Sequence, residues 1–207
     1  MAIFDVLRNI DEKIHIFHNN FDKIPSVPGI YAWYYPLNVR SLKLDDLIKD
    51  IENIYLYDAK YKGQPEIKEV LPLTWRKLVI NIKEEPNREE IEQGIYNEWE
   101  NIIEDDKKFE KFRELLLAAS ILMPPLYIGK TTNLYARCQN HLSGGDADKN
   151  NFKKRFENYA EEMKIGDKLV QNLIFACIYI DDNLGDEAHS LLEGILKISA
   201  KPPYGIR

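Results

Sequence analysis

The sequence has few cysteines and no long apolar run. Cys138 and Cys177 are the only cysteines among 207 residues, and neither has a second cysteine or a histidine at zinc spacing, so neither a disulfide framework nor a zinc site is predicted. No apolar run approaches the roughly 18 residues of a membrane span, and charges begin too early for a signal peptide. We therefore expect a cytoplasmic protein with no membrane segment and two buried thiols.

Positive charge is also scarce. The chain has 28 Lys and Arg against 34 Asp and Glu, a net charge of −6, which by itself argues against nucleic-acid binding. The excess acid lies in residues 36–125, where 14 basic residues face 19 acidic ones, whereas residues 126–207 carry 11 of each. The charge objection therefore applies mainly to the middle of the chain.

The most informative stretch spans residues 125–142. A short apolar run ends in a glycine, and a Thr or Asn can then cap a helix, so the pattern predicts a strand, a tight turn and a helix. On that helix Arg137 and His141 are four residues apart and share one face. Gly129-Lys130-Thr131 matches the end of a phosphate-binding loop, but Pro124 stands where that motif needs glycine, which excludes an ATPase or GTPase.

A second informative segment is Gly29-Ile30-Tyr31, in a stretch rich in β-branched and aromatic residues after Pro28 that predicts a strand. Another Gly-Ile-Tyr occurs at residues 94–96, within a charged stretch that predicts a helix. We therefore take the first copy as the candidate strand.

These elements, in this order, resemble the signature of the GIY-YIG nucleases. The resemblance comprises Gly29-Ile30-Tyr31, Tyr127-Ile128-Gly129, Arg137 followed by His141, and Glu193 on the last predicted helix. It implies an α+β fold, with a small, mainly antiparallel three-stranded sheet flanked by helices. Residues 1–35 and 125–207 would form this core, and residues 36–124 an inserted, mostly helical acidic subdomain.

The resemblance also implies a metal-dependent DNA endonuclease of the kind found in restriction or mobile-element systems. Glu193 would bind Mg²⁺ or Mn²⁺, and Arg137 would clamp the scissile phosphate. Tyr31 would deprotonate or orient the attacking water, with Tyr127 helping to position it. His141 or Lys130 would share the proton transfer.

Two departures from the family keep an alternative open. Gly205 stands where the family has an asparagine that supports the site, and the chain is acidic overall. The alternative is a catalytically weak or inactive module that binds DNA or protein. Under either reading the partner can be DNA, and the sequence leaves both a monomer and a homodimer open.

Periodicity predicts the remaining elements. A leading amphipathic helix is expected over residues 1–20, and a buried central or near-central strand over residues 169–180. On the last helix we expect an apolar stripe packed on the sheet. The stripe comprises Ala188, Leu191, Leu192, Ile195 and Leu196. For Glu193 the residues alone favour an ordinary exposed pair with Lys197, the alternative to the metal ligand that the resemblance implies. Further helices are expected over residues 42–54, 89–103, 109–122 and 148–163.

The helix over residues 148–163 carries the densest basic patch of the chain. Its basic residues are either a solvated helix face or contacts to the DNA backbone, since clustered Lys and Arg supply affinity that does not depend on sequence. The patch consists of Lys149, Lys153, Lys154 and Arg155.

Overall fold

The structure is a computed structural model that describes residues 13–38, 43–55, 88–144, 151–162, 164–180, 185–200 and 202. Over these residues the chain is α+β, with four strands and six α-helices. The strands are β1 (Ile14–Phe17), β2 (Gly29–Tyr34), β3 (Tyr127–Thr131) and β4 (Ile174–Tyr179). The helices are α1 (Leu44–Tyr55), α2 (Arg88–Ile103), α3 (Asp106–Ala119), α4 (Leu134–Ser143), α5 (Phe152–Glu162) and α6 (Gly185–Ala200).

The chain divides into two compact units. One comprises Met1–Leu37 with Leu117–Arg207, and the other comprises Asn38–Leu116. All four strands belong to the first unit. None of the described helices is both long and apolar enough to cross a membrane.

The sheet is antiparallel throughout, in the order β1-β4-β2-β3. Strand β2 lies between β3 and β4, so that Tyr31 pairs with Gly129 on one side and with Cys177 on the other. The two segments that carry the signature are therefore hydrogen-bonded neighbours. The interior place predicted for the strand within residues 169–180 is confirmed for β4.

The predicted number of strands is wrong, because the sheet has four strands rather than three. The additional strand is β1, which pairs with β4 at the edge of the sheet. The helix expected over residues 1–20 is correspondingly wrong for Ile14–Phe17, and residues 1–12 lie outside the described part. The short Ile-His-Ile-Phe segment also satisfies strand alternation, and its β-branched residues favour a strand where β4 offers unpaired backbone groups.

The core of the first unit lies between the sheet and the helices α4 and α5. Trp33 and Phe175 are fully buried on the sheet, and Phe156 is fully buried on α5. Cys138 and Cys177 are free and buried, as predicted. Burial raises the pKa of both thiols to about 12.

The second unit is helical where it is described. The helices predicted near residues 42–54, 89–103 and 109–122 are confirmed as α1, α2 and α3, with shifted ends. Trp99 of α2 packs edge-on against Phe109 and Phe112 of α3, and the Tyr96 hydroxyl donates to the Asp45 carboxylate. For residues 55–82 the sequence predicts an irregular or strand-like stretch anchored by Trp75, and residues 56–82 lie outside the described part of the chain.

The predicted orientation of α6 is wrong. Leu191, Leu192 and Ile195 are exposed instead of packed on the sheet. The Ala188 side chain is not among those that the structure describes. The helix packs against β3 and β2 with its polar side inward, since His189 is buried and Glu193 is half-buried. Contacts made by the polar residues of a helix can decide which of its faces is turned inward. Periodicity alone does not reveal such contacts.

Candidate active site

Strand pairing brings the two signature tyrosines to one face of the sheet. Tyr31 lies opposite Gly129, and Tyr127 lies opposite Trp33. Because directly paired residues point to the same side and alternate residues share a face, both tyrosine rings lie on the side of the sheet that carries Trp33. The ring centroids of Tyr31 and Tyr127 are 6.0 Å apart.

Helix α4 covers this face and is capped at both ends. At its start the Asn133 side chain accepts a hydrogen bond from the Ala136 amide at 2.8 Å, and at its end Gly144 adopts a left-handed conformation with φ of 71°. Such caps satisfy backbone groups that a helix leaves unpaired. They define a ten-residue helix on which Arg137 and His141 point to the same side, as the spacing predicts.

The Tyr31 hydroxyl is the centre of the site. Arg137 donates to it through Nε at 3.0 Å, and His141 Nε2 lies 3.0 Å from the same oxygen. Tyr31 is 1% exposed and His141 5% exposed, so these bonds form out of contact with bulk water. A guanidinium, a phenol and an imidazole from two separate elements thus meet at one atom.

Burial governs the protonation states of this cluster. It raises the pKa of Tyr31, with Tyr127 acting in the same direction and Arg137 opposing, so the phenol is neutral at pH 7. Burial also lowers the pKa of His141 to about 3, aided by the positive charges of Arg137 and Arg155. The imidazole is therefore neutral and able to accept a proton.

The charge of Arg137 is maintained by its partners. Burial lowers the pKa of the Arg137 guanidinium, but its interactions with Tyr31 and Tyr127 outweigh that effect and raise it. At pH 7, where Tyr31 is a neutral phenol, the interaction is a hydrogen bond that the charged guanidinium donates to the phenol oxygen. The site thus holds one fixed cation beside a neutral phenol and a neutral imidazole. This combination suits an anionic ligand.

The two signature glycines permit close packing. A Cβ on Gly129 would lie 2.5 Å from the Tyr31 hydroxyl oxygen. On Gly29 it would lie 2.6 Å from the Ile178 carbonyl oxygen and 2.7 Å from Leu134 Cδ1. All three distances are too short for a carbon atom, so glycine at these positions lets Tyr31 lie over β3 and lets α4 approach β2.

Aromatic side chains form the walls around His141. Its ring lies 5.9 Å from that of Trp33 and 5.2 Å from that of Phe152 on α5, and Phe152 also contacts Tyr127 at 5.2 Å. Sequence reasoning did not assign Phe152 to the site. Only the packing of α5 on the sheet reveals that role.

Glu193 lies on α6, where its predicted partner is confirmed. Lys197 Nζ is 2.8 Å from Glu193 Oε1. One turn earlier on the helix, Ser190 accepts a hydrogen bond from Lys130 of β3 at 2.6 Å, which ties α6 to the strand of Tyr127. In the described part of the chain no hydrogen bond or ion pair links Glu193 to the tyrosine cluster, and no three His, Cys, Asp or Glu residues gather there.

The basic residues of α5 have different surroundings. Lys153 donates to the Leu142 carbonyl at 2.9 Å, at the C-terminal end of α4. Lys154 is exposed, whereas Arg155 is half-buried and near enough to His141 to affect its pKa. Lys149 lies outside the described residues.

Comparison with known proteins identified no relative of this chain. The sequence matches no protein-family model, and no curated protein or solved structure is significantly similar to it. The fold and the site therefore define the class: an α+β protein with a four-stranded antiparallel sheet, on which a buried Tyr–Arg–His cluster is assembled.

The depressed pKa of His141 predicts a pH dependence of stability. Between pH 6.5 and about 3 the unfolded chain binds a proton at His141 that the folded chain does not. The neutral His141 therefore contributes fully to the free energy of unfolding above pH 6.5. As the pH falls below 6.5, that free energy decreases by up to about 1.4 kcal/mol per pH unit because of this group. Urea unfolding at pH 7.5 and pH 5 should show the loss in the wild-type protein.

The control for this prediction is His141→Gln, which removes the titrating group. The difference in the free energy of unfolding between wild type and variant should depend on pH and become smaller toward pH 5. If the two proteins lose stability in parallel between pH 7.5 and pH 5, then His141 is not held neutral by its surroundings.

Proposed function

We propose that this protein is a metal-dependent DNA endonuclease of the GIY-YIG type that hydrolyses phosphodiester bonds, acting in a restriction or mobile-element system. The observation that supports this most is the Tyr31 hydroxyl, bonded to Arg137 Nε and next to His141 Nε2, both at 3.0 Å. Phosphodiester hydrolysis needs a cation at the phosphate and a path for a proton from water. The cluster supplies groups suited to both.

Arg137 would hold the scissile phosphate. Its Nε–H is engaged by Tyr31, and the terminal nitrogens of the planar guanidinium carry the donors whose geometry matches two phosphate oxygens. The bond to Tyr31 fixes the orientation of the guanidinium. Orientation of this kind lowers the reorganisation that accompanies the reaction.

Tyr31 and His141 would manage the proton of the attacking water. A negative charge on Tyr31 is disfavoured, because burial raises its pKa. We therefore infer that Tyr31 orients the water, takes a proton from it and in the same step passes its own hydroxyl proton to the neutral His141, so that the phenol stays neutral. A bound phosphate adds a negative charge nearby, which raises the pKa of His141 and makes it a stronger base. Tyr127 would help to position the water.

Glu193 would hold the metal. A carboxylate is the ligand that Mg²⁺ and Mn²⁺ prefer, and Mg²⁺ commonly takes one or two protein carboxylates together with waters and substrate phosphate, so one glutamate fits. A bound divalent ion would neutralise charge on the phosphate and on the leaving 3′ oxygen.

The DNA backbone would contact basic residues of β3, of α5 and of the segment before α5. The proposed contacts are Lys130, Lys149, Lys153, Lys154 and Arg155, where Lys and Arg supply electrostatic affinity. The acidic segment of residues 36–124 would restrict DNA binding to chosen targets, whereas the cluster would carry out the hydrolysis.

The second candidate is a binding module without catalytic activity. It is favoured by the pairing of Glu193 with Lys197 instead of with the cluster, and by Gly205 in place of the family asparagine. Under this candidate, removing residues 36–125 abolishes partner binding, whereas replacing Glu193 changes no activity.

Cleavage of supercoiled plasmid, single-stranded DNA and branched DNA with Mg²⁺ or Mn²⁺ tests the proposal. The wild-type protein should cut at least one of these substrates, and EDTA should stop it. Glu193→Gln removes the carboxylate proposed to hold the metal, so the rate should fall by more than the roughly 10- to 100-fold that loss of an outer-shell partner of a metal ligand costs.

Lys197→Gln is the matched control for Glu193→Gln. It removes the same ion pair but keeps the carboxylate, so cleavage should stay within about threefold of wild type, because such pairs contribute little on their own. If all three substrates remain intact, or if Glu193→Gln cuts as fast as wild type, the proposed metal chemistry is wrong.

A further inference from the structure

Three buried side-chain nitrogens near His141 have no hydrogen-bond partner in the described part of the chain. They are His141 Nδ1, Trp33 Nε1 and Arg155 Nε. Trp33 is fully buried and His141 is 5% exposed, so bulk water does not satisfy either ring. A buried N–H group without an acceptor costs free energy, and folded proteins leave few of them. Three such nitrogens in one region indicate that the region binds an acceptor.

The three nitrogens belong to β2, α4 and α5, which meet at Phe152. The Phe152 ring centroid is 5.2 Å from that of His141 and 5.8 Å from that of Trp33, and the His141 and Trp33 centroids are 5.9 Å apart. Arg155 follows Phe152 by three positions on α5, so the two side chains share one side of that helix. The positive charge of Arg155 helps to lower the pKa of His141, which places the guanidinium close to the imidazole. We call Trp33, His141 and Arg155 the donor group.

His141 contributes a donor on the side of its ring away from Tyr31. Its Nε2 lies 3.0 Å from the Tyr31 hydroxyl, and the two nitrogens of an imidazole point in different directions. The Tyr31 oxygen accepts from Arg137 Nε. We therefore assign the hydroxyl hydrogen to the bond with Nε2 and the ring hydrogen of His141 to Nδ1. With this tautomer all three nitrogens of the donor group are N–H donors.

The positive charge of the donor group is not balanced by a carboxylate. Among the residues that the structure describes, no ion pair joins Arg155 to an Asp or Glu. The charges that influence the pKa of His141 are those of Arg137 and Arg155, both positive. Because a cation that is partly withdrawn from water normally has a partner of opposite charge, this surplus favours an acceptor that is negatively charged.

A small anion fits these donors better than a water molecule does. A buried water accepts hydrogen bonds but also brings two hydrogens that need acceptors of their own. A monatomic anion accepts from all three donors and brings no hydrogen. The rings of Trp33, His141 and Phe152 are in mutual contact at the distances given above, so the space beside them suits a single atom and not a phosphate group.

We propose that Trp33, His141 and Arg155 bind a small monatomic anion of the chloride type, on the side of His141 opposite the Tyr31 hydroxyl. The inference does not depend on the proposed nuclease activity. It is tested by binding measurements alone, so a failure to cleave DNA leaves it standing and a failure to bind chloride leaves the nuclease proposal standing.

Anomalous scattering from bromide tests the position of the ion. Bromide has the charge of chloride and a similar size, and it scatters anomalously. Crystals of the wild-type protein grown in sodium bromide should show an anomalous peak within hydrogen-bonding distance of His141 Nδ1, Trp33 Nε1 and Arg155 Nε. A water molecule at that place, or a site with neither ion nor water, would overturn the proposal.

Nuclear magnetic resonance tests binding in solution. The indole N–H signal of Trp33, identified as the one lost in Trp33→Phe, should shift with added sodium chloride and reach saturation. Sodium gluconate at the same ionic strength should not produce this shift, since its anion is too large for the site. The indole of Trp99, which packs on Phe109 and Phe112, is the internal reference.

Arg155→Gln tests the contribution of the cation. It should weaken the apparent affinity for chloride by about tenfold or more, because a hydrogen bond from a charged donor is lost. Lys154→Gln is the matched control, since it removes the same charge from an exposed neighbour on α5, and it should change the affinity by no more than about twofold. Circular dichroism of each variant establishes that it is folded.

The solution measurements can also contradict the proposal. If chloride and gluconate shift the Trp33 signal equally, the effect is one of ionic strength and there is no site. If Arg155→Gln binds chloride as tightly as Lys154→Gln does, the ion lies elsewhere. A bromide peak in the crystal without a saturable shift in solution would mean an adventitious ion only.

Discussion

Replacing Arg137 with methionine is expected to reduce DNA cleavage by about 10³-fold, the upper range for loss of one donor that stabilises charge in a transition state. Methionine keeps much of the length of the side chain but removes the cation and the bond to the Tyr31 hydroxyl, which Arg137 Nε makes at 3.0 Å. The loss should fall mainly on kcat. Single-turnover cleavage of a labelled oligonucleotide measures it directly.

Arg137→Lys should rescue little of this loss. A lysine ammonium keeps the charge but lacks the planar fork that can bond Tyr31 and a phosphate together. The control is Arg113→Met, which removes a half-buried arginine of α3 whose ion-pair partner is Glu110 at 3.0 Å. A lysine variant as active as wild type would reduce the role of Arg137 to charge alone.

Replacing Gly129 with alanine is expected to damage both stability and activity. The new Cβ would lie 2.5 Å from the Tyr31 hydroxyl oxygen, and Tyr31 cannot yield, since it stacks on Phe175 and bonds Arg137. Overpacking of this kind costs about 1 to 3 kcal/mol of unfolding free energy. Displacing the hydroxyl should also lower cleavage by about 10²-fold, as small misplacements in active sites do.

Gly94→Ala is the matched control for Gly129→Ala. Gly94 belongs to a second Gly-Ile-Tyr, on helix α2, and a Cβ there meets nothing within 4 Å. Alanine should therefore stabilise that helix by about 0.5 to 1 kcal/mol. Urea unfolding of both variants gives the comparison. If Gly129→Ala unfolds at the same urea concentration as wild type, Tyr31 is less rigidly held than its contacts indicate.

Local patterns were sufficient for much of the fold. The apolar run that became β4, the helices of residues 44–55 and 88–119, and the capped helix with Arg137 and His141 one turn apart all follow from periodicity and turn residues. These features depend on residues within a few positions of one another, and such neighbours can be read directly from the sequence.

Local patterns gave the wrong prediction where a segment fits both the helical and the strand period, and where contacts between distant residues decide the orientation of an element. Ile14–Phe17 fits both a helix and a strand, and the open edge of β4 selects the strand. The apolar face of α6 should be inward by periodicity, yet Leu191 and Ile195 are exposed while His189 is buried. Contacts of residues far apart in the chain decided both cases.

The sequence by itself determined which residues are available for chemistry, their spacing along each helix and strand, and the two thiols that are buried. Only the tertiary structure decided that Tyr31 meets Arg137 and His141, more than a hundred positions away, at a single hydroxyl. It also decided that Glu193 pairs with Lys197. The reason is physical: strand register and helix orientation are set by packing and hydrogen bonding between distant segments, and these are properties of the folded chain as a whole.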